Sequence, residues 1–491
     1  TAQGQAANAV DVTVNDGPRV SYIGLGTLNL LGKWGDDNIS VDVNVAALSV
    51  IINVDGNLPT AGSDALRVTG VNGPDDTPSW TPDGAGSGVF ALNGQSPINV
   101  TGIETLIYDG EADNETLTVV GGTTDDTFVH TPGSARDAGN VSVDNGTATL
   151  LGISYEDLGL TGGIAVDGAA GSDTLGALGT AGSDLLEVTF TAPDAIDVDL
   201  SSSLGNHIDL TSSAVENYEI DGLDGDDNIE ISRTGGTPLI DASGTFDVLG
   251  GANGSGSDTL FLLGVADTVE NVLVIPQSAN PDDQIIGGLG TQIDVNGIEV
   301  IRYAGADAND TLTVNPGDGD NDVRVEAADP NGWDGVSSDS LPTIEFVALQ
   351  NFVVDVSGQG SDVVTFKTWF LQGALPGNYQ MVGNGVDTLV IEGTDGAGGG
   401  NDSYTVTNAM TATIAGPLAV TDANGSGVTV TATGTMQGRL QINTLGGNDV
   451  VTVDESGGLI VPLIGYDGGT GSDVLNVTGS TVVTDAIYSP G

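Results

Sequence analysis

Cysteine is missing from this 491-residue chain, which excludes disulfides and cysteine-ligated metals. Basic residues are scarce: nine Lys and Arg stand against 68 Asp and Glu, for a formal charge of −59. With no basic surface to displace counterions, nucleic acid is not expected as a partner. An anionic membrane repels such a chain, and no apolar run reaches the length of a spanning helix, so membrane insertion is not expected either. Only His130 and His207 could serve acid–base chemistry near neutral pH. No Gly-x-Ser-x-Gly elbow comes with a histidine to serve it. The basic residues are spread singly from Arg19 to Arg439, so the sequence shows no cationic cluster of the kind a polysaccharide lyase needs. No enzyme is expected. Aromatic residues are 4% of the chain, so any core is thin and aliphatic. The chain opens at Thr1 without a methionine, which is the expectation for a mature, secreted form after signal-peptide removal.

Glycine is abundant, at 76 residues, and hydrophobic residues make up 38%. The acid is mostly Asp and sits among Gly and Asn, unlike the Glu-rich composition of a disordered tail. Period-two alternation recurs throughout, as in Val10-Asp11-Val12-Thr13-Val14, Ile39-Ser40-Val41-Asp42-Val43, Ile229-Glu230-Ile231 and Val428-Thr429-Val430. Short alternating strands bounded by Gly, Asn and Asp predict an all-β chain.

The chain also repeats itself. A unit of strand, Gly-rich acidic turn and strand appears at Tyr218–Ile231, Val356–Val364 and Tyr466–Val477, with the turn consensus Gly-x-x-Gly-[Ser/Asn/Asp]-Asp-x-[Leu/Ile/Val]. A second form, strand-Gly-Thr-turn-Asp-strand, occurs at Leu178–Thr189. The major turns recur at uneven spacings of roughly 25 to 60 residues. The expected architecture is a repetitive β-solenoid, a parallel β-helix-like array; tandem β-sandwich domains are the alternative. Composition suggests an N-terminal tail and possible assembly strand over 1–20, then repeat regions over 21–165, 166–300 and 301–491.

The turns suggest chemistry. Calcium takes six to eight oxygen ligands from carboxylates, carbonyls and water, and a bend such as Asp224-Gly225-Asp226-Asp227 offers several. Zinc would need Cys or His. The candidate ligands are Asp36, Asp37, Asp109, Asp113, Asp167, Asp173, Asp184, Asp221, Asp224, Asp226, Asp227, Asp258, Asp307, Asp310, Asp362, Asp387, Asp449, Asp467 and Asp473. Asp, Asn, Gly and Ser also dominate ordinary β-turns, so plain turn chemistry stands beside this reading. Adaptation to high salt is a third reading, with Asp42, Asp197, Asp199 and Glu230 on strands in its favour. Stacked carboxylates repel by roughly 4 kcal/mol at ~4 Å and an effective dielectric near 20. Either cations neutralise them or the turns splay into water.

Gly468-Gly469-Thr470-Gly471-Ser472-Asp473 resembles the haemolysin-type calcium-binding repeat, with its Gly-Gly-x-Gly-x-Asp core. Gly222–Asp227, Ser357–Asp362 and Leu445–Asp449 match it in part. The resemblance covers the turns alone. It implies a β-roll with calcium at stacked turns and a likeness to bacterial surface-layer, adhesin and matrix proteins. The expected function is therefore that of a secreted structural homopolymer, a filament or surface layer stabilised by Ca2+. A calcium-dependent adhesin or polysaccharide-binding stalk is the alternative. Ten Asn-x-Ser/Thr sequons, Asn99 and Asn145 among them, leave room for glycosylation.

Overall fold

The computed structural model describes residues 2–6, 9–13, 19–43, 49–57, 63–71, 77–92, 95–235, 244–266, 268–277, 280–306, 309–328, 332–368, 371, 379–384, 386–393, 401–408, 418–422, 429–434, 438–457, 460 and 463–479. Strands occupy 58% of the described residues. The one helical element among the described residues is a 3-10 turn at Glu455–Gly457, and none is long and apolar enough to cross a membrane. This is the all-β, repetitive architecture that the alternating segments predict.

The chain forms two compact units, Thr1–Thr259 and Leu260–Gly491. In each, successive rungs place one strand in a first sheet and one in a second. In the N-terminal unit, Asn38–Asp42, Ala65–Thr69 and Thr105–Asp109 pair in parallel in the first sheet. Thr27–Leu31, Ile51–Asp55 and Ile98–Thr101 do so in the second. In the C-terminal unit, Val363–Lys367, Thr388–Glu392, Arg439–Asn443 and Leu463–Asp467 form one parallel run. Parallel pairing from rung to rung is the solenoid arrangement; sandwich domains of the immunoglobulin type pair antiparallel.

Because neighbouring rungs pair in register, alternate residues stack into columns about 4.8 Å apart. Leu117, Ile164 and Leu210 form one such buried column; Val364, Leu389 and Leu440 form another. Aromatics enter the core sparsely. Trp80 is fully buried and donates its Nε1–H to the Leu151 carbonyl at 2.9 Å, whereas Trp34 is 83% exposed.

The rungs are interrupted by three-stranded antiparallel meanders. Ser79–Gly84 runs ahead by two strand positions, Ser87–Ala91 folds back, and Ile98–Thr101 returns to pair with Ile51–Asp55. The next strand of that sheet, Thr116–Val120, then pairs in parallel with Ser79–Gly84. The same excursion begins at Thr127 and Leu185 in the N-terminal unit. It begins at Asn271, Asp322 and Ser403 in the C-terminal unit. Within each unit the meanders alternate between the two sheets. They account for the uneven repeat spacing: equivalent corner residues lie 24 to 31 apart across bare rungs, and 40 to 47 apart where a meander intervenes.

Leu440 is fully buried and sits in register between Leu389 and Ile464. Leu440→Ala should therefore cost about 2–5 kcal/mol, measured as a lower denaturant midpoint. An unchanged midpoint would mean that the column is not close-packed.

Candidate functional site: carboxylate columns at the rung corners

Where a strand begins after a corner, its first backbone N–H lies beyond the reach of the sheet's own ladder and needs another acceptor. The chain supplies one from the next rung. Asp37 donates its N–H to Asp64 Oδ1 at 2.7 Å, and Asp64 donates to Glu104 Oε2 at 2.7 Å. Asp126 donates to Asp173 and Asp173 to Glu216. Asp184 donates to Asp227 at 2.8 Å and Asp227 to Asp258 at 2.7 Å. In the C-terminal unit the same relay links Glu270 to Asp310, Asn321 to Asp362 to Asp387, and Asp402 to Asp449 to Asp473. Six inner columns, most of whose members are buried, thus stitch rung to rung.

One residue earlier, an outer column runs the opposite way. Ser172 donates its N–H back to Asp125, Asp226 to Ser183, Ser361 to Asp320, Asn448 to Asn401 and Ser472 to Asn448. The [Ser/Asn/Asp]-Asp dipeptide of the turn consensus is this pair of columns. At the far end of the preceding strand, Asp167, Asp221 and Asp467 each accept the N–H two residues on, closing an Asx turn.

Glycine completes the corner. At many corners the residue after the strand end is a Gly that lies beneath the inner carboxylate. A Cβ on Gly222 would come within 2.5 Å of Asp227 Oδ2, and one on Gly168 within 2.6 Å of Asp173 Oδ2. The second Gly of the turn bends the chain, with φ of 155° at Gly225 and 148° at Gly471.

The predicted ligands divide among these roles. Asp37, Asp173, Asp184, Asp227, Asp258, Asp310, Asp362, Asp387, Asp449 and Asp473 lie in the inner columns. Asp109, Asp167, Asp221 and Asp467 end strands, and Asp109 also pairs with Arg67 at 2.6 Å. Asp36, Asp113, Asp224 and Asp226 lie within turns. Asp307 lies outside the described residues. Sequence reasoning missed the inner-column members Asp64, Asp126, Asp402, Glu104, Glu216, Glu270 and Asn321. A signal was present: Gly followed five positions later by an acid, as in Gly121/Asp126 and Gly110/Glu115. Buried Glu115 also accepts the Tyr108 hydroxyl at 2.5 Å.

Does this arrangement suit calcium? The inner carboxylates are strung along a column, one per rung, each with an oxygen on a backbone N–H. Their other buried oxygens, Asp64 Oδ2, Asp173 Oδ2 and Asp227 Oδ2, have no hydrogen bond but rest on glycine. Among the described residues, no three acidic or histidine side chains converge as a metal cage requires. The inner columns therefore do not fit a calcium cage. The turn carboxylate most open to a cation is that of exposed Asp224, whereas Asp226 gives its oxygens to the Gly254 and Ser255 N–H groups. Asp226 itself is held below its ordinary range by N–H groups of Gly256, Ser255 and Gly254.

Burial has the opposite effect on the inner columns. Desolvation, reinforced by neighbouring carboxylates, raises Asp173 to about 6 and Asp227 to about 7, against the opposing effect of the N–H bonds they accept. Asp184 and Asp362 are raised for the same main reason. A proton is thus one route to neutrality in a column.

The two histidines serve the scaffold. His130 is buried, with Nε2 2.7 Å from the Tyr155 hydroxyl. Burial, with His207 nearby, lowers its pKa to about 4. His207 Nε2 meets Ser202 Oγ at 2.8 Å, and that same Oγ accepts the Leu204 N–H, so the pair pins a turn. Comparison with known protein families and with curated protein sequences yields no match to this chain.

A carboxyl raised above its ordinary 3.8 keeps its proton longer when folded. Its stabilising contribution is complete below that value and is lost as pH rises through about 6 and 7. The thermal midpoint should therefore fall between about pH 5 and pH 8, the reverse of ordinary acid denaturation. Asp227→Asn retains an oxygen for the Asp184 N–H and should flatten that fall. Asp227→Ala orphans the N–H and should cost about 1–3 kcal/mol. A midpoint that rises from pH 5 to 8, unchanged by Asp227→Asn, would remove the inner columns as titrating elements. Gly222→Ala should destabilise by a further route, costing about 1–3 kcal/mol through overpacking against Asp227; a denaturant midpoint equal to that of the unaltered chain would count against it.

Proposed function

We propose that the protein is a secreted structural element whose copies assemble into a filament or surface layer, with calcium as the counterion between them. The observation that carries this reading is the use made of the acidic side chains. The inner, outer and strand-end carboxylates bind the chain's own backbone amides, which is the chemistry of a scaffold and not of a substrate cleft. The two histidines are likewise engaged in internal contacts.

Charge sets the condition for assembly. Copies carrying −59 repel one another, and the repulsion between exposed charges is screened over about 10 Å at 0.1 M salt. Exposed turn oxygens, such as those of Asp224, are where divalent cations would reduce it. In this reading calcium acts on association, while the corners hold without it.

Light scattering and electron microscopy at low salt should therefore show regular polymers on addition of millimolar calcium, with dispersal by a chelator. The thermal midpoint of the unassembled chain should move by less than about 2 °C, since a ligand that barely binds the native monomer adds little stability. Isolated particles at every calcium concentration would refute the assembly reading. A midpoint raised by tens of degrees would place calcium inside the corners instead.

A further inference from the structure

Each of five meanders returns on a strand that is covered by a parallel strand from the rung behind it. Ile98–Thr101 lies on Ile51–Asp55, Ile153–Glu156 on Thr105–Asp109, and Asp209–Ser213 on Gly163–Asp167. Leu341–Val347 lies on Val300–Ala304, and Thr429–Gly434 on Tyr379–Gly383. The first segment of the chain is a meander of the same form. Ala2–Ala6 pairs in parallel with Asn38–Asp42 ahead of it, Ala9–Val12 folds back, and Val20–Ile23 is the returning strand. Among the described residues nothing pairs with the far edge of Val20–Ile23. Val20 and Tyr22, on one face of it, are 46% and 45% exposed, and Ile23 is 83% exposed.

At the other end of the chain, Val474–Thr478 pairs in parallel with Val450–Asp454. Leu475 and Val477 stand in register with the buried core residues Val451 and Val453, yet each is 50% exposed. Of the 17 large hydrophobic side chains exposed among the described residues, nine fall within residues 20–34 or 463–477. That concentration marks two open rung edges rather than the scattered apolar surface of an ordinary protein.

We infer that the uncovered edge of Val20–Ile23 in one copy receives Val474–Thr478 of a second copy, continuing the first sheet from chain to chain. This rests on the proposed self-assembly and names its contact. Three features select a second copy as the occupant. The polarity suits, because each of the five returning strands named above is covered by a parallel strand. The shape suits, because the C-terminal rung repeats the rung beside the N-terminal edge: Gly468, Gly471, Asp473, Leu475 and Val477 fall at the spacing of Gly32, Gly35, Asp37, Ile39 and Val41. The charge suits as well. Residues 19–35 hold Arg19 and Lys33 and no acid, in a chain with only nine basic residues, whereas residues 463–479 hold Asp467 and Asp473 and no base. The contact joins different surfaces of the two copies, so each copy can receive one neighbour and offer itself to another, by strand addition at an open edge.

The cysteine-free chain makes the test clean. Two single-cysteine variants, Ser21→Cys and Asn476→Cys, sit on the outward faces of the two strands. Mixed in full-length form with calcium and joined by a short bismaleimide, they should give a cross-linked dimer at least tenfold more abundant than either variant alone. Leu475→Asp should reduce the polymerised fraction at least tenfold while leaving the thermal midpoint of the unassembled chain unchanged. Polymers that form without this cross-link, or that tolerate Leu475→Asp, overturn the contact and leave self-assembly standing. Absence of both polymer and cross-link overturns the two together. A cross-link in the mixture with polymers lost on Leu475→Asp supports the contact.

Discussion

A backbone amide at the start of a strand, just past a corner, has to find an acceptor, and the rest of this molecule follows from how it does. The strand ladder cannot serve it, and water is excluded once rungs stack. An aspartate from the next rung, arriving at 2.7 to 3.1 Å, solves the problem and ties the two rungs at the same point. A charge-assisted bond of this kind is stronger than its neutral counterpart. The glycine beneath, the bend of the second glycine and the polar residue of the outer column are consequences. Each makes room for that carboxylate or returns a hydrogen bond across the same step.

The arrangement also decides how so acidic a chain holds a fold. Stacked carboxylates 4 to 5 Å apart repel unless something compensates them. Cations or splayed turns were the two expected outcomes. The corner shows another: each buried carboxylate accepts amide hydrogen, and desolvation pushes members such as Asp173 and Asp227 toward holding a proton near neutrality. Asn321 shows that charge is dispensable at such a position, since its amide donates to Gly317, Gly319 and Asp362 in the same corner. Outside the columns, Asp36 and Asp224 are exposed at the turns.

Much of the fold was legible in the residues. Segments such as Ile229-Glu230-Ile231 and Leu312-Thr313-Val314 alternate in and out as their pattern implies, with Ile229, Ile231, Leu312 and Val314 buried. The turn consensus located real corners. The meanders were not legible, because Ser87–Ala91 and Ile98–Thr101 have the same local pattern; only pairing reveals that one runs back and the other forward. The candidate site was visible in residue type, but the division of its acids between buried column and outer turn was not. Asp227 and Asp226 are adjacent acids in one turn, yet one is buried on the Asp184 N–H of the rung before and the other is half-exposed on the Gly254 and Ser255 N–H groups of the rung after.

Composition and periodicity by themselves determined that the chain is all-β, repetitive, aliphatic in its core and strongly acidic, because these depend on neighbours along the chain. Only the tertiary structure decided which acid is buried, which oxygen it gives to which amide, and which strand edge is left uncovered. Those outcomes depend on residues 24 to 47 positions away that stacking brings within a single rung spacing, a separation that varies with each inserted meander and leaves no fixed period to read.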